Sequence, residues 1–243
     1  MKGLRMEFES VWVVDFGGQY NQLIARRVRE ANVYAEIVPF EKAMDRLAGG
    51  ERPAGAIFTG GPSSVYEDGA PSLPKAFFEQ GFPILGICYG AQLMAHTLGG
   101  KVVSPDFKEY GRVGVYRTDG AGSIAGAGGD ASGCAGFVAG SDGAAECGAG
   151  SILFDGIGGE LVCWMSHTDY IEKAPEGFHV TSQTDNCPTA SMENHERKLY
   201  GVQFHPEVHH TPFGQKLLRN FLYKICGLRG EWTMANFAKR KVE

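Results

Sequence analysis

One stretch, Phe82-Pro-Ile-Leu-Gly-Ile-Cys-Tyr-Gly-Ala-Gln-Leu-Met-Ala-His96, limits the fold of this chain more than any other, because an apolar β-like run passes through a glycine-flanked cysteine straight into a helix-forming run. Gly86 and Gly90 remove Cβ atoms on either side of a tight turn, which lets Cys88 project from a strand end. The helix predicted over Ala91–Leu98 points its N-terminus at the sulfur, and its free N–H groups and macrodipole favour the thiolate. A lone buried cysteine is more often inert packing. The paired glycines and a distant His-Pro-Glu cluster favour a nucleophile here instead.

The strand-turn-helix pattern recurs. Ser10-Val-Trp-Val-Val-Asp15 is a β-rich run followed by Phe-Gly-Gly-Gln-Tyr and by Gln22–Glu30, where Leu23, Ile24 and Val28 repeat at helical spacing. Further strands are predicted at Val33–Val38, Ala54–Thr59 and Phe82–Ile87, separated by loop or helical pattern. This alternation argues for βαβ units on a largely parallel sheet. In such sheets ligands gather beyond the carboxyl ends of the strands, which is where the turns after Asp15, Thr59 and Ile87 fall. Leu161–Met165, Gly177–Ser182 and Leu199–Phe204 read as later strands, some antiparallel, and Gly214–Ile225 as a last helix ending at Gly227. Between them, Asp119 to Ser151 is dominated by Gly, Ala, Ser and Asp, and reads as a flexible surface insertion.

At 243 residues, with 43% hydrophobic and 21% charged residues, the chain can bury one sizeable core. A net charge of -5 gives no electrostatic footprint for nucleic acid or an anionic membrane, so the expected partners are small molecules or proteins. The first ten residues lack a signal pattern and no apolar run is long enough to span a bilayer, which favours a cytoplasmic location. The six cysteines show no Cys-x-x-Cys spacing, so neither a zinc site nor a disulfide framework is expected.

The second half of the candidate site is Gly201-Val-Gln-Phe-His-Pro-Glu-Val208, where an apolar strand ends in His205 and Glu207 follows two residues on. Pro206 stops the strand from continuing. Cysteine, histidine and an acidic orienter are the parts of a thiol-dependent acyl-transfer triad. Taken singly, His205 is as well read as a cap and Glu207 as a solvated turn residue; beside Cys88 they point to chemistry. His205, His209 and His210 are clustered, but Pro206 breaks ligand spacing, and a metal site is not expected. An acyl-transfer site also needs oxyanion donors, and the Gly61 amide in Thr59-Gly-Gly-Pro-Ser-Ser64, with that of Tyr89, could supply them.

These residues resemble the class I (triad) glutamine amidotransferase family, through Gly-Ile-Cys-Tyr-Gly-Ala-Gln at 86–92, Thr-Gly-Gly-Pro-Ser-Ser at 59–64 and His-Pro-Glu at 205–207. Asp15–Glu30, Trp164-Met-Ser-His-Thr-Asp169, His205–Thr211 and Leu218–Leu222 are similar to the branch that forms the glutaminase domain of GMP synthetases. The resemblance spans nearly the whole chain except Asp119 to Ser151. It implies a three-layer α/β fold, a mostly parallel central sheet flanked by helices with a smaller antiparallel sheet. The implied domain is 1–228, with 119–151 as an insertion where the family has a short connection, and 229–243 as the start of a linker.

By the same resemblance Cys88 is the nucleophile, His205 the general base and acid, Glu207 its orienter, and Gly61 and Tyr89 the oxyanion donors. Gln92 and the Ser166-His167-Thr168-Asp169 loop would hold L-glutamine, with Asp169 facing its α-ammonium group. The implied reaction is hydrolysis to glutamate and ammonia through a cysteinyl thioester. The ammonia would serve an ATP pyrophosphatase domain or subunit that aminates XMP to GMP. This chain would need no cofactor, and ATP and Mg²⁺ would belong to that partner. The chain has no Ser-Gly-Gly-x-Asp-Ser phosphate loop, so the resemblance implies a fragment or a separate subunit. Two other readings compete: a non-catalytic module that binds and regulates a synthetase, and a γ-glutamyl peptide hydrolase on the same fold.

Overall fold

The computed structural model describes residues 9–105, 108–118, 150–233 and 236. The insertion expected at 119–151 lies outside the described residues up to 149. The expected linker start at 229–243 is described only through 233 and at 236.

The first half alternates strand and helix: β1 (Ser10–Asp15), α1 (Asn21–Glu30), β2 (Tyr34–Pro39), α2 (Phe40–Ala48), β3 (Gly55–Phe58), a short 3₁₀ turn at Lys75–Glu79, β4 (Ile84–Ile87) and α3 (Tyr89–Thr97). The second half is mainly β: β5 (Lys101–Val103), β6 (Glu109–Arg117), β7 (Leu161–His167), β8 (Tyr170–Lys173), β9 (His179–Gln183), β10 (Ser191–Asn194) and β11 (Leu199–Val202), followed by α4 (Gly214–Arg219). Among the described residues the main sheet has nine strands in the order β2-β1-β3-β4-β11-β10-β9-β6-β7, and β5 pairs with β8 in a separate ribbon. The pairs β1–β2, β1–β3, β3–β4 and β4–β11 are parallel. From β11 outward every pair is antiparallel. The expected architecture, a mostly parallel sheet flanked by helices with a small antiparallel sheet beside it, is the one observed.

Alternation along the parallel strands builds two cores. Val11, Val13, Ile57, Leu85 and Val202 face α1 and α4 with Ile24, Val28, Leu217 and Phe221. Trp12, Val14, Phe58 and Ile84 face the other way, onto α2, α3 and the 3₁₀ turn, where they meet Leu47, Phe77, Phe78 and Met94. Successive side chains of a strand point to opposite faces, so a sheet buried on both faces needs the continuous apolar runs that β1, β3 and β4 carry. Each fully buried side chain of this kind contributes about 1.5–3 kcal/mol.

The last helix departs from the expected form. It is α-helical only through Arg219, and over Asn220–Ile225 its hydrogen bonds widen to i→i+5, with the Cys226 amide donating to the Phe221 carbonyl at 2.9 Å. The Asn220 amide donates to the carbonyls of Leu153 (2.8 Å) and Asp155 (2.9 Å), and this long-range tie coincides with the widened turn. Among the described residues no helix is long and apolar enough to cross a membrane.

Candidate active site

The carboxyl ends of β1, β3, β4 and β11 form one rim, and each releases its chain into a turn there. At the end of β4, Cys88 adopts φ 52° and ψ −109°, a left-handed conformation costly for any residue with a Cβ. Neighbouring strands hold it there. The Cys88 amide donates to the Val202 carbonyl of β11 at 2.8 Å, and the Gly90 amide donates to the Thr59 carbonyl beyond β3 at 3.1 Å. A Cβ at Gly86 would lie 2.6 Å from the Ala91 nitrogen, and one at Gly90 2.5 Å from Phe58 Cβ. The two glycines are therefore required by close approach of backbone and side chain.

His205 follows β11 and is 4% exposed. Its Nδ1 lies 2.7 Å from Oε1 of Glu207, which is itself 1% exposed. Burial alone pulls the His205 pKa down, but the Glu207 carboxylate and the neighbouring Cys88 thiol overcome it and leave the imidazole well above the usual histidine range. Gly60 sits against both partners: a Cβ there would be 3.5 Å from His205 Cε1 and 3.9 Å from Cys88 Cβ. The Tyr20 ring meets the imidazole edge-on at 5.3 Å between centroids.

Thr211 fixes the approach of this segment to β7. Its hydroxyl donates to the His205 carbonyl at 2.7 Å and accepts from the Trp164 amide at 3.0 Å, while the His205 amide donates to the Trp164 carbonyl at 3.0 Å. On the opposite side, Arg27 Nε of α1 donates to the Glu207 carbonyl at 2.9 Å.

The remaining expected site residues fall around this trio. Gly61 packs near the Tyr89 ring, and among the described residues neither the Gly61 amide nor the Tyr89 amide donates to a backbone carbonyl. The Ser166 carbonyl lies 3.9 Å from Cys88 Sγ. Gln92, one turn into α3, donates from Nε2 to the Asp169 carbonyl at 2.6 Å and so ties the β7–β8 turn to the helix that carries the cysteine. Asp169 is buried, and among the described residues its Oδ1 has no hydrogen-bond partner. His167 is buried as well, with Nε2 3.3 Å from Oε2 of Glu109 on β6. His209 and His210 are exposed, and His210 stacks on Trp164 at 4.7 Å.

Sequence reasoning did not single out Gly60, Tyr20, Thr211 or Glu109. Gly60 is legible as the first glycine of the Gly-Gly pair, whereas Glu109 and Thr211 act through contacts distant in sequence.

This arrangement places a thiol at a strand end beside a histidine held by a carboxylate. The sequence matches the family described as glutamine amidotransferase class-I over residues 12–225. It is 52% identical over 232 residues to a GMP synthase (glutamine-hydrolysing) of Clostridium perfringens, covering 96% of this chain and 40% of that protein. To the protein of the same name from Clostridium novyi it is 50% identical over 240 residues, covering 99% of this chain and 41% of that protein. The chain thus spans about two fifths of the length of the curated relatives it matches. Among solved structures, a Thermoplasma acidophilum protein provisionally assigned as one subunit of a GMP synthase superposes with a TM-score of 0.70 at 27% identity, covering 97% of this chain and 98% of that one.

Proposed function

The chain belongs to the class-I glutamine amidotransferase family, and from that membership we propose that it hydrolyses L-glutamine to glutamate and ammonia through a thioester on Cys88. The observation that carries this reading is the strained Cys88 turn standing beside the buried His205–Glu207 pair.

In the proposed reaction the Cys88 proton has passed to His205 before attack, and the sulfur, as the thiolate, attacks the side-chain amide carbon of glutamine. The oxyanion of the tetrahedral intermediate takes hydrogen bonds from the Gly61 and Tyr89 amides. Collapse breaks the C–N bond, and the protonated imidazole gives its proton to the departing nitrogen, which leaves as ammonia. Water then attacks the γ-glutamyl thioester, giving its proton to His205, and the C–S bond breaks to release glutamate. The proton returns from His205 to the sulfur. Glu207 holds the ring in the tautomer that presents Nε2 to the reaction and stabilises the imidazolium.

Gln92, Ser166, His167 and Asp169 are assigned to substrate holding. Among the described residues Asp169 Oδ1 has no hydrogen-bond partner, which supports a role against the α-ammonium group, since a buried carboxylate oxygen left unpaired is costly until a cation arrives. Residues 1–228 are assigned to the glutaminase unit, in a cytoplasmic setting that keeps the thiol reduced. The chemistry assigned to this chain uses only its own groups.

The names and greater length of the Clostridium relatives support a finer reading, in which the ammonia passes to an ATP pyrophosphatase partner that uses ATP and Mg²⁺ to aminate XMP to GMP. Glutamate release from glutamine, measured with and without such a partner, tests the scheme. Cys88→Ala should abolish release in both settings, and a γ-electrophilic glutamine analogue should add one label at Cys88. Hydrolysis that survives Cys88→Ala overturns the mechanism. Faster turnover of extended γ-glutamyl peptides than of free glutamine would reassign the substrate.

A further inference from the structure

Glu109 opens β6 directly opposite His167, the last residue of β7. Both side chains are buried. One Glu109 oxygen accepts the Thr184 hydroxyl at 2.9 Å, and the other lies 3.3 Å from His167 Nε2, an ion-pair distance at which the ring N–H is not aimed along a hydrogen-bond axis. Such a pair is an expensive way to join two strands, because two polar side chains lose their water and an apolar pair would hold the ladder at less cost. Its place in the chain suggests why it is there.

His167 stands between the two points at which the β7–β8 turn meets the nucleophile's own element. The residue before it, Ser166, brings its carbonyl to 3.9 Å from Cys88 Sγ. Two residues after it, the Asp169 carbonyl receives Gln92 Nε2 at 2.6 Å. A displacement of His167 must therefore move the Ser166 carbonyl, the Asp169 carboxylate, or both. Glu109 itself is seated by Thr184, in the segment after β9 that also returns a hydrogen bond from the Thr184 amide to the Cys187 carbonyl at 2.9 Å.

We propose that Glu109 is a positioning residue for substrate recognition: by holding His167 it sets where the Ser166–Asp169 turn stands relative to Cys88. The proposal rests on the assignment of that turn to glutamine binding. Groups on the turn would contact the α-substituents of glutamine, which do not change during the reaction. They bind ground state and transition state alike, so their displacement raises KM and spares kcat.

The test is Glu109→Gln in the 243-residue chain, which keeps the side chain's shape while removing its charge. Glutaminase KM should rise by roughly tenfold to a hundredfold, the range expected when a binding group is misplaced by about an ångström, with kcat little changed. Amide hydrogen exchange at residues 166–170 should accelerate while the parallel strands keep their protection. An unchanged KM together with unchanged exchange at 166–170 overturns the proposal, as does a lowered melting temperature with no change in KM. If wild-type protein neither hydrolyses glutamine nor takes up its electrophilic analogue, the glutaminase assignment fails. The exchange measurement then decides alone whether Glu109 positions the turn.

Discussion

His205 Nδ1 and Glu207 Oε1 are 2.7 Å apart, with both side chains almost fully removed from water. A charge-assisted hydrogen bond in so dry a site fixes both ring orientation and tautomer. Glu207→Gln should therefore lower kcat for glutamate release by roughly 10²–10⁴-fold, the range associated with a positioned acid–base group, with a smaller effect on KM. An effect mainly on KM would show that Glu207 serves binding instead.

The same pair predicts a pH dependence of stability. The His205 pKa stands above its ordinary value of 6.5 in the folded protein, so folding favours the protonated ring. Its stabilising contribution is complete below about 6.5 and is lost as pH rises through the elevated value. Thermal melts of wild type and His205→Asn across this range should show a gap that narrows with rising pH. A gap that widens with pH would reverse the assigned charge.

At Gly90 the expected effect is on folding. A Cβ there would lie 2.5 Å from Phe58 Cβ and 2.8 Å from the Phe58 carbonyl oxygen, and neither can swing aside as a flexible side chain would. Gly90→Ala should cost about 1–3 kcal/mol of overpacking strain, read as a lower urea midpoint. Wild-type stability in this variant would mean that β3 and α3 are less tightly apposed than described.

These residues also show what could be read in advance. The Cys88 turn was legible because glycine spacing, an apolar strand and a helical run lie within fifteen consecutive residues, so local steric rules alone located it. His205 and Glu207 were legible for the same reason, Pro206 marking the strand end. Strand β10 was not, since Ser191 and Glu193 are buried polar residues that break the apolar pattern of a core strand. They are tolerated because the Ser191 hydroxyl bonds those of Thr181 (2.7 Å) and Ser182 (2.6 Å) and Glu193 accepts the Ser151 hydroxyl, partners that only the folded protein supplies. Glu109 was hidden similarly: a lone glutamate reads as surface until Thr184 and His167 surround it. The widening of the last helix at Asn220 coincides with bonds to carbonyls more than sixty positions away, beyond the reach of any local periodicity.

Selective reactivity of the thiols follows from burial. Burial pushes the Cys187 thiol up to about 12, and it drives Cys163 and Cys226 higher still, so these three are almost wholly protonated near neutrality. With limiting iodoacetamide at pH 7.5–8, near the ordinary thiol range, peptide mapping should find alkylation at Cys88 well before Cys163, Cys187 or Cys226. Early modification of Cys187 would contradict its buried position.

Cys88 itself is held at φ 52°, a conformation costly for a residue with a Cβ. Backbone strain of this kind in a residue with a Cβ is worth about 1–3 kcal/mol, and glycine escapes it. Against that gain stand the greater freedom that glycine gives the unfolded chain, about 0.5–1 kcal/mol, and the small side-chain contact that is lost. The strain is the larger quantity. Cys88→Gly should therefore be inactive yet equal to wild type or more stable by about 1 kcal/mol in urea unfolding, whereas Cys88→Ala, which keeps a Cβ, should be inactive with no such gain. If the glycine variant proved clearly less stable than the alanine variant, the left-handed turn would carry no strain, and the case for Cys88 as a residue placed for reaction would lose its main structural support.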